Sequence, residues 1–136
     1  MKQIGNILLA VLFAAWAAPA SADGALAVGQ PSDVAKGGVA FGVTWALPRS
    51  EAQQEAVKLC KQTDGVPSST TALCRVVHTF KHACVSIAFD PQKGTTGFGW
   101  GTGSDSVASG WDALDKCKAT AGDRASACRL IDTTCD

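Results

Sequence analysis

The residues best suited to chemistry crowd into one stretch. Cys74-x3-His78-x3-His82-x-Cys84 places four zinc-competent side chains within eleven residues. Thiolate and imidazole are the usual donors of structural zinc sites. Against a metal stands a second Cys-Arg pair, Cys128-Arg129, which copies Cys74-Arg75 with no histidine near it. A cysteine kept in both settings reads as a disulfide partner, so no metal is expected.

His78 allows a different chemistry. It follows Cys74 by four positions, as Asp132 follows Cys128. With the two Cys-Arg strands side by side, His78 and Asp132 would face each other. The carboxylate would raise the imidazole pKa and hold its tautomer, as in acid–base sites. No serine stands in a Gly-x-Ser-x-Gly elbow, and an ordinary cross-strand polar pair explains the same residues. The glycine run from Gly97 to Gly103 matches neither the phosphate-loop nor the dinucleotide fingerprint, so no cofactor is expected. Its alternation describes a strand with one bare face, suited to a closely packed helix. Asp112 and Asp115 read as a solvated helix face.

The tryptophans hold the binding hint. Trp111 belongs to a helical stripe and reads as core, and Phe98 and Trp100 share one strand face. Trp45 ends a strand beside Leu47-Pro48, where an exposed ring could anchor a partner, with the loop from Lys61 to Leu73 nearby.

These residues must be positioned by elements that recur. Phe41-Gly42-Val43-Thr44 aligns with Phe98-Gly99-Trp100-Gly101 at an offset of 57. At that offset Ala56-Val57-Lys58-Leu59-Cys60 falls on Ala113-Leu114-Asp115-Lys116-Cys117, and after a loop three residues shorter Cys74-Arg75-Val76-Val77 falls on Cys128-Arg129-Leu130-Ile131. Upstream, Ala25-Leu26-Ala27-Val28 resembles Ser86-Ile87-Ala88-Phe89. Each half, about 25–84 and 85–136, then reads strand, strand, helix, strand.

Within the second half, Asp90-Pro91-Gln92-Lys93-Gly94 is turn chemistry that makes a hairpin of 85–89 and 97–103. Ser104 or Ser106 caps a helix running to about Ala119, with Val107, Trp111, Leu114 and Cys117 on its inward stripe. A turn near Lys81–Ala83 accounts for a phase change between Val76 and Val85. The expected fold is α+β, one antiparallel or mixed sheet of about six strands with two helices on one face.

Six cysteines, Cys60, Cys74, Cys84, Cys117, Cys128 and Cys135, imply a disulfide framework in an exported chain. Matching local positions favour Cys60–Cys74 and Cys117–Cys128, leaving Cys84 with Cys135. A swapped scheme, Cys60–Cys128 with Cys74–Cys117, respects the same symmetry.

The ordered set of Phe98-Gly99-Trp100-Gly101, Ala113-Leu114 with Cys117, and Cys74-Arg75-Val76-Val77 with Phe80 and Cys84 resembles the bacterial domain-of-unknown-function family 4189. The resemblance implies export and a fold but transfers no catalytic residues. His82 stands where that family usually has Asn, and Ser86 where it often has Ala.

Lys2, the apolar run Ile7–Ala18, Pro19 and the small residues Ala20-Ser21-Ala22 read as a bacterial secretory signal peptide over 1–22. About twelve apolar residues are too few for a span, so one domain, 23–136, is expected in the periplasm or outside the cell. Twelve basic and twelve acidic residues, scattered in both signs, give no basic face for nucleic acid. The reading is a small exported binding module for a protein or envelope component, not an enzyme, with Trp45 as its contact. The alternatives are a small periplasmic hydrolase using His78 and Asp132, or a purely structural envelope protein.

Overall fold

The computed structural model describes residues 22–136, so the expected leader lies outside the described residues apart from Ala22. In chain order the elements are β1 (Asp23–Gly29), α1 (Val34–Gly37), β2 (Ala40–Leu47), α2 (Arg49–Lys61), α3 (Ser68–Thr71), β3 (Arg75–Phe80), β4 (Cys84–Phe89), β5 (Phe98–Gly103), α4 (Ser106–Thr120), a 3-10 segment (Gly122–Ala127) and β6 (Arg129–Cys135). The 85–89 and 97–103 hairpin forms as β4 and β5. Lys81–Ala83 is the bend before it. Asp105, rather than either neighbouring serine, caps α4 by accepting from the Ala108 N–H at 2.8 Å.

The single sheet expected from the sequence is replaced by two. β1 is central in the first, in the order β2-β1-β3, and β4 is central in the second, in the order β5-β4-β6. All pairings are antiparallel. Strand alternation explains why two sheets form. Leu26 and Val28 on one face of β1 join Val43, Phe80, Val85, Ile87 and Phe98 in a core drawn from both sheets. The opposite face of β1, Ala25 and Ala27, packs on Ala52, Ala56 and Cys60 of α2. Likewise Ala88 of β4 packs on Ala113 and Cys117 of α4. The sheets therefore meet face to face, with one helix on each outer surface instead of both on one.

The outer layers are unusually close. A Cβ on Gly99 would lie 2.6 Å from the Ala113 carbonyl oxygen, and one on Gly103 would lie 2.5 Å from the Ser109 nitrogen. On the first sheet, a Cβ on Gly42 would lie 2.5 Å from the Cys60 nitrogen. The helix backbone thus rests on the strand backbone, and only small side chains fit between. This overturns part of the inward stripe expected for α4: Cys117 is buried and Leu114 packs against the same cluster of small residues, but Val107 and Trp111 do not go inside. Its buried residues are Ser109, Gly110, Ala113 and Cys117, whereas Trp111 is 61% exposed and Val107 65% exposed.

Disulfides pin the ends of these contacts. Cys60 bonds to Cys74 and Cys117 to Cys128, each tying a helix's last turn to the start of the next strand. Cys84 bonds to Cys135 across the β4–β6 pair. Cys74 and Cys84, both members of the zinc-competent cluster, are thus bonded to sulfur. Threonines add a further tie. Thr63 Oγ1 accepts from the Phe41 N–H at 3.2 Å, and Thr120 Oγ1 accepts from the Phe98 N–H at 3.0 Å. They belong to Cys60-Lys61-Gln62-Thr63 and Cys117-Lys118-Ala119-Thr120, so one short pattern bolts an edge strand to its helix twice.

The glycine contacts give a sharp test. Gly101→Ala should cost about 1–3 kcal/mol or more, because its Cβ meets helix backbone that cannot yield. Gly110→Ala should stay within about 1 kcal/mol of the parent, since gained helix propensity offsets displacement of the mobile Leu130 tip, 3.1 Å away. Urea unfolding of both variants measures the contrast.

Candidate functional site

Two tryptophan-bearing rims come from the sandwich geometry. The two sheets stack so that β3 lies against β5 at one side and β2 against β6 at the other. Trp45 stands at the β2 rim and Trp100 at the β5 rim.

Trp45 is 57% exposed on a backbone held from an unexpected direction. The Asp136 carboxylate accepts from the Ala46 N–H and from the His82 N–H, each at 3.3 Å. Both residues have left-handed backbones, with φ of 56° and 51°, a region that disfavours side chains unless the surroundings fix it. The Asp136 N–H also donates to the Ala83 carbonyl at 3.0 Å. The Asp136 side chain therefore clamps the end of β2, next to Trp45, to the β3–β4 bend. The loop 61–73 does not share this surface. Thr63 bonds to Phe41 and Thr70 Oγ1 donates to the Gly37 carbonyl at 2.7 Å, so the loop packs at the opposite end of β2.

The second rim brings His78 from one sheet against residues of the other. The His78 ring lies 5.7 Å from the Trp100 ring and stacks on Phe80 at 6.3 Å, centroid to centroid. Lys116 Nζ sits 5.2 Å from the centre of the same indole and pairs with Asp112 at 3.1 Å. Asp112 also accepts from the Thr102 N–H at 3.0 Å, which with the nearby lysine holds its pKa below the usual carboxylate value. His78 is shifted down from 6.5, first by burial and then by the charge on Lys116. It is thus disposed to remain neutral. The pairing of His78 with Asp132 does not occur. Asp132 lies on β6, opposite Ile87 of β4, whereas His78 faces β5. The whole of β4 intervenes, roughly two strand spacings or about 10 Å.

Three hollows along this rim all include Gln30, and Trp100 lines two of them. Lys116, Gln30 and Asp136 were not signalled by any motif. Lys116 had one faint marker, its position four residues after Asp112, where a helix aligns opposite charges.

A different cluster has a structural task. The Asp90 side chain is fully buried and accepts from two Arg124 nitrogens, Nε to Oδ2 and Nη2 to Oδ1 at 3.0 Å, while Oδ1 also accepts from the Gln92 N–H at 3.0 Å. Hydrogen bonding from Arg124 leads in lowering its pKa to about 2. This pair joins the β4–β5 turn to the 3-10 segment.

The family described as Domain of unknown function (DUF4189) matches residues 24–135, and the chain belongs to that family. Among curated proteins and solved structures nothing matches the chain.

Imidazole titration by NMR should find His78 protonating below 6.5. Lys116→Ala should raise that midpoint while leaving it below 6.5, because burial is the larger cause. The Asp90–Arg124 pair responds to pH in the same sense, over a lower range. Its folded pKa is depressed, so its stabilisation is present above the ordinary value of 3.8 and is lost as pH falls toward about 2. Unfolding curves of Asp90→Asn and the parent should therefore differ at pH 5 and converge as the medium approaches pH 2.

Proposed function

We propose that this member of the family is an exported binding module, built from two copies of one strand-strand-helix-strand unit. It works in the periplasm or outside the cell, and its partner is a protein or envelope component. Three disulfides suit an oxidising compartment, and no helix among the described residues is long and apolar enough to cross a membrane.

The observation that carries the reading is Trp45, 57% exposed on a strand end that Asp136 holds in place. A large apolar ring left in water lowers the free energy of association when a partner covers it. Its fixed backbone means little motion is lost at that moment. Tryptophan in such a setting is the residue type most often found to dominate an interface.

Retrieval from an envelope extract with the oxidised protein tests this directly. Trp45→Ala should leave the circular dichroism and melting temperature unchanged while weakening capture by about thirtyfold, the size of a hot spot near 2 kcal/mol. Equal recovery of the same partners by both proteins removes Trp45 from the contact. Failure of both to capture anything favours a structural role in the envelope.

A further inference from the structure

We propose that the hollow between β3 and Trp100 is a second binding site, for a small carboxylate that carries an apolar ring. It is separate from the Trp45 surface, which lies at the β2 rim.

The hollow encloses about 330 Å³. Val28, Leu73, Val77 and the Trp100 indole form its walls, and only Gln30 and Arg75 bring polar side chains to it. The volume falls at the lower end of small-molecule sites, which take an apolar body and orient it with a few polar groups. A single aromatic ring with a short substituent is of that size.

The charge pattern selects the substituent. The neighbouring cation, Lys116, already lies over the indole and is paired with Asp112. Arg75 is different: among the described residues no carboxylate pairs with it. His78, a further titratable group at this rim, is pushed toward its neutral form, and Asp33 lines a neighbouring hollow rather than this one. The net field in the hollow is therefore positive and comes from Arg75. A guanidinium offers two parallel N–H donors, the geometry of a carboxylate. The Gln30 amide can donate to the same group, while the ring lies against the indole.

The indole itself is preset. His78 packs against it at 5.7 Å and Lys116 at 5.2 Å, so it need not be ordered when a ligand arrives. The disulfide from Cys74 to Cys60, immediately before Arg75, fixes the start of β3 in the same way.

The test is a titration followed by two-dimensional NMR, with phenylacetate as probe and 2-phenylethanol as its neutral counterpart. Phenylacetate should shift the Trp100 indole N–H and the His78 ring, and the alcohol should bind at least about tenfold more weakly, the loss expected when a charged hydrogen bond is removed. Arg75→Gln should abolish that preference with the parent spectrum otherwise retained, because Arg75 is exposed and supports no other contact described here. Trp45→Ala should leave the titration untouched, so this site and the proposed protein contact fail or stand independently. A short peptide ending in phenylalanine, with and without a C-terminal amide, distinguishes a peptide terminus from a free acid as the source of the ring and carboxylate. No shift with about 10 mM phenylacetate, or equal affinity for acid and alcohol, overturns the proposal.

Discussion

Wherever a long helix lies on a sheet in this protein, the strands beneath turn glycines and other small residues toward it. The helix answers with alanine, serine or cysteine. Gly42 meets α2 in this way, and Gly99, Gly101 and Gly103 meet α4. A side chain on either surface would force the layers apart. Close approach increases dispersion contact along the backbone and excludes water from it, although each small residue buries little apolar area. The bulky residues are thereby displaced to the space between the sheets, where Leu26, Val85, Ile87, Phe80 and Phe98 gather. Thus the thin outer contacts and the thick central core are two consequences of one steric rule.

Cross-links reinforce the places where thin contacts would part first. Cys60–Cys74 and Cys117–Cys128 close loops spanning 14 and 11 residues, each at a helix end. In the chain-entropy model each contributes about 3 kcal/mol. Thr63 and Thr120 hold the same helix ends to β2 and β5 by hydrogen bonds. They also occupy backbone donors at the exposed edges of these strands, which limits pairing with other chains. Ser86 sits within 2.7 Å of Ser109 and 2.9 Å of Thr133, so the polar atoms trapped under α4 satisfy one another.

Much of this was legible in the residues. Alternating glycines announced a strand that receives a helix, and cysteines at matching helix ends pointed to the local bridges. The turn residues from Asp90 to Gly94 marked the hairpin. What misled was the period of α4. Val107 and Trp111 stand on the same repeat as Leu114 and Cys117, yet the groove left by glycine is too shallow for them. Hydrophobic periodicity assumes that larger side chains go inside, and here clearance reverses the choice. The number of sheets was hidden because alternation shows two faces for each strand but not which strands pair. The rims were harder still. Lys116 over Trp100 and the Asp136 clamp join residues remote in sequence, and no local pattern encodes them.

The reversal on α4 has a practical corollary. Because the helix is seated through its smallest residues, its exposed apolar side chains Val107 and Trp111 take no part in that seat. Positions such as Val107 and Trp111 are free to be rewritten while the scaffold below stays closed. A chain built this way separates durability from recognition. New contact chemistry can be written on the helix, by descent or by an engineer, without reopening the core.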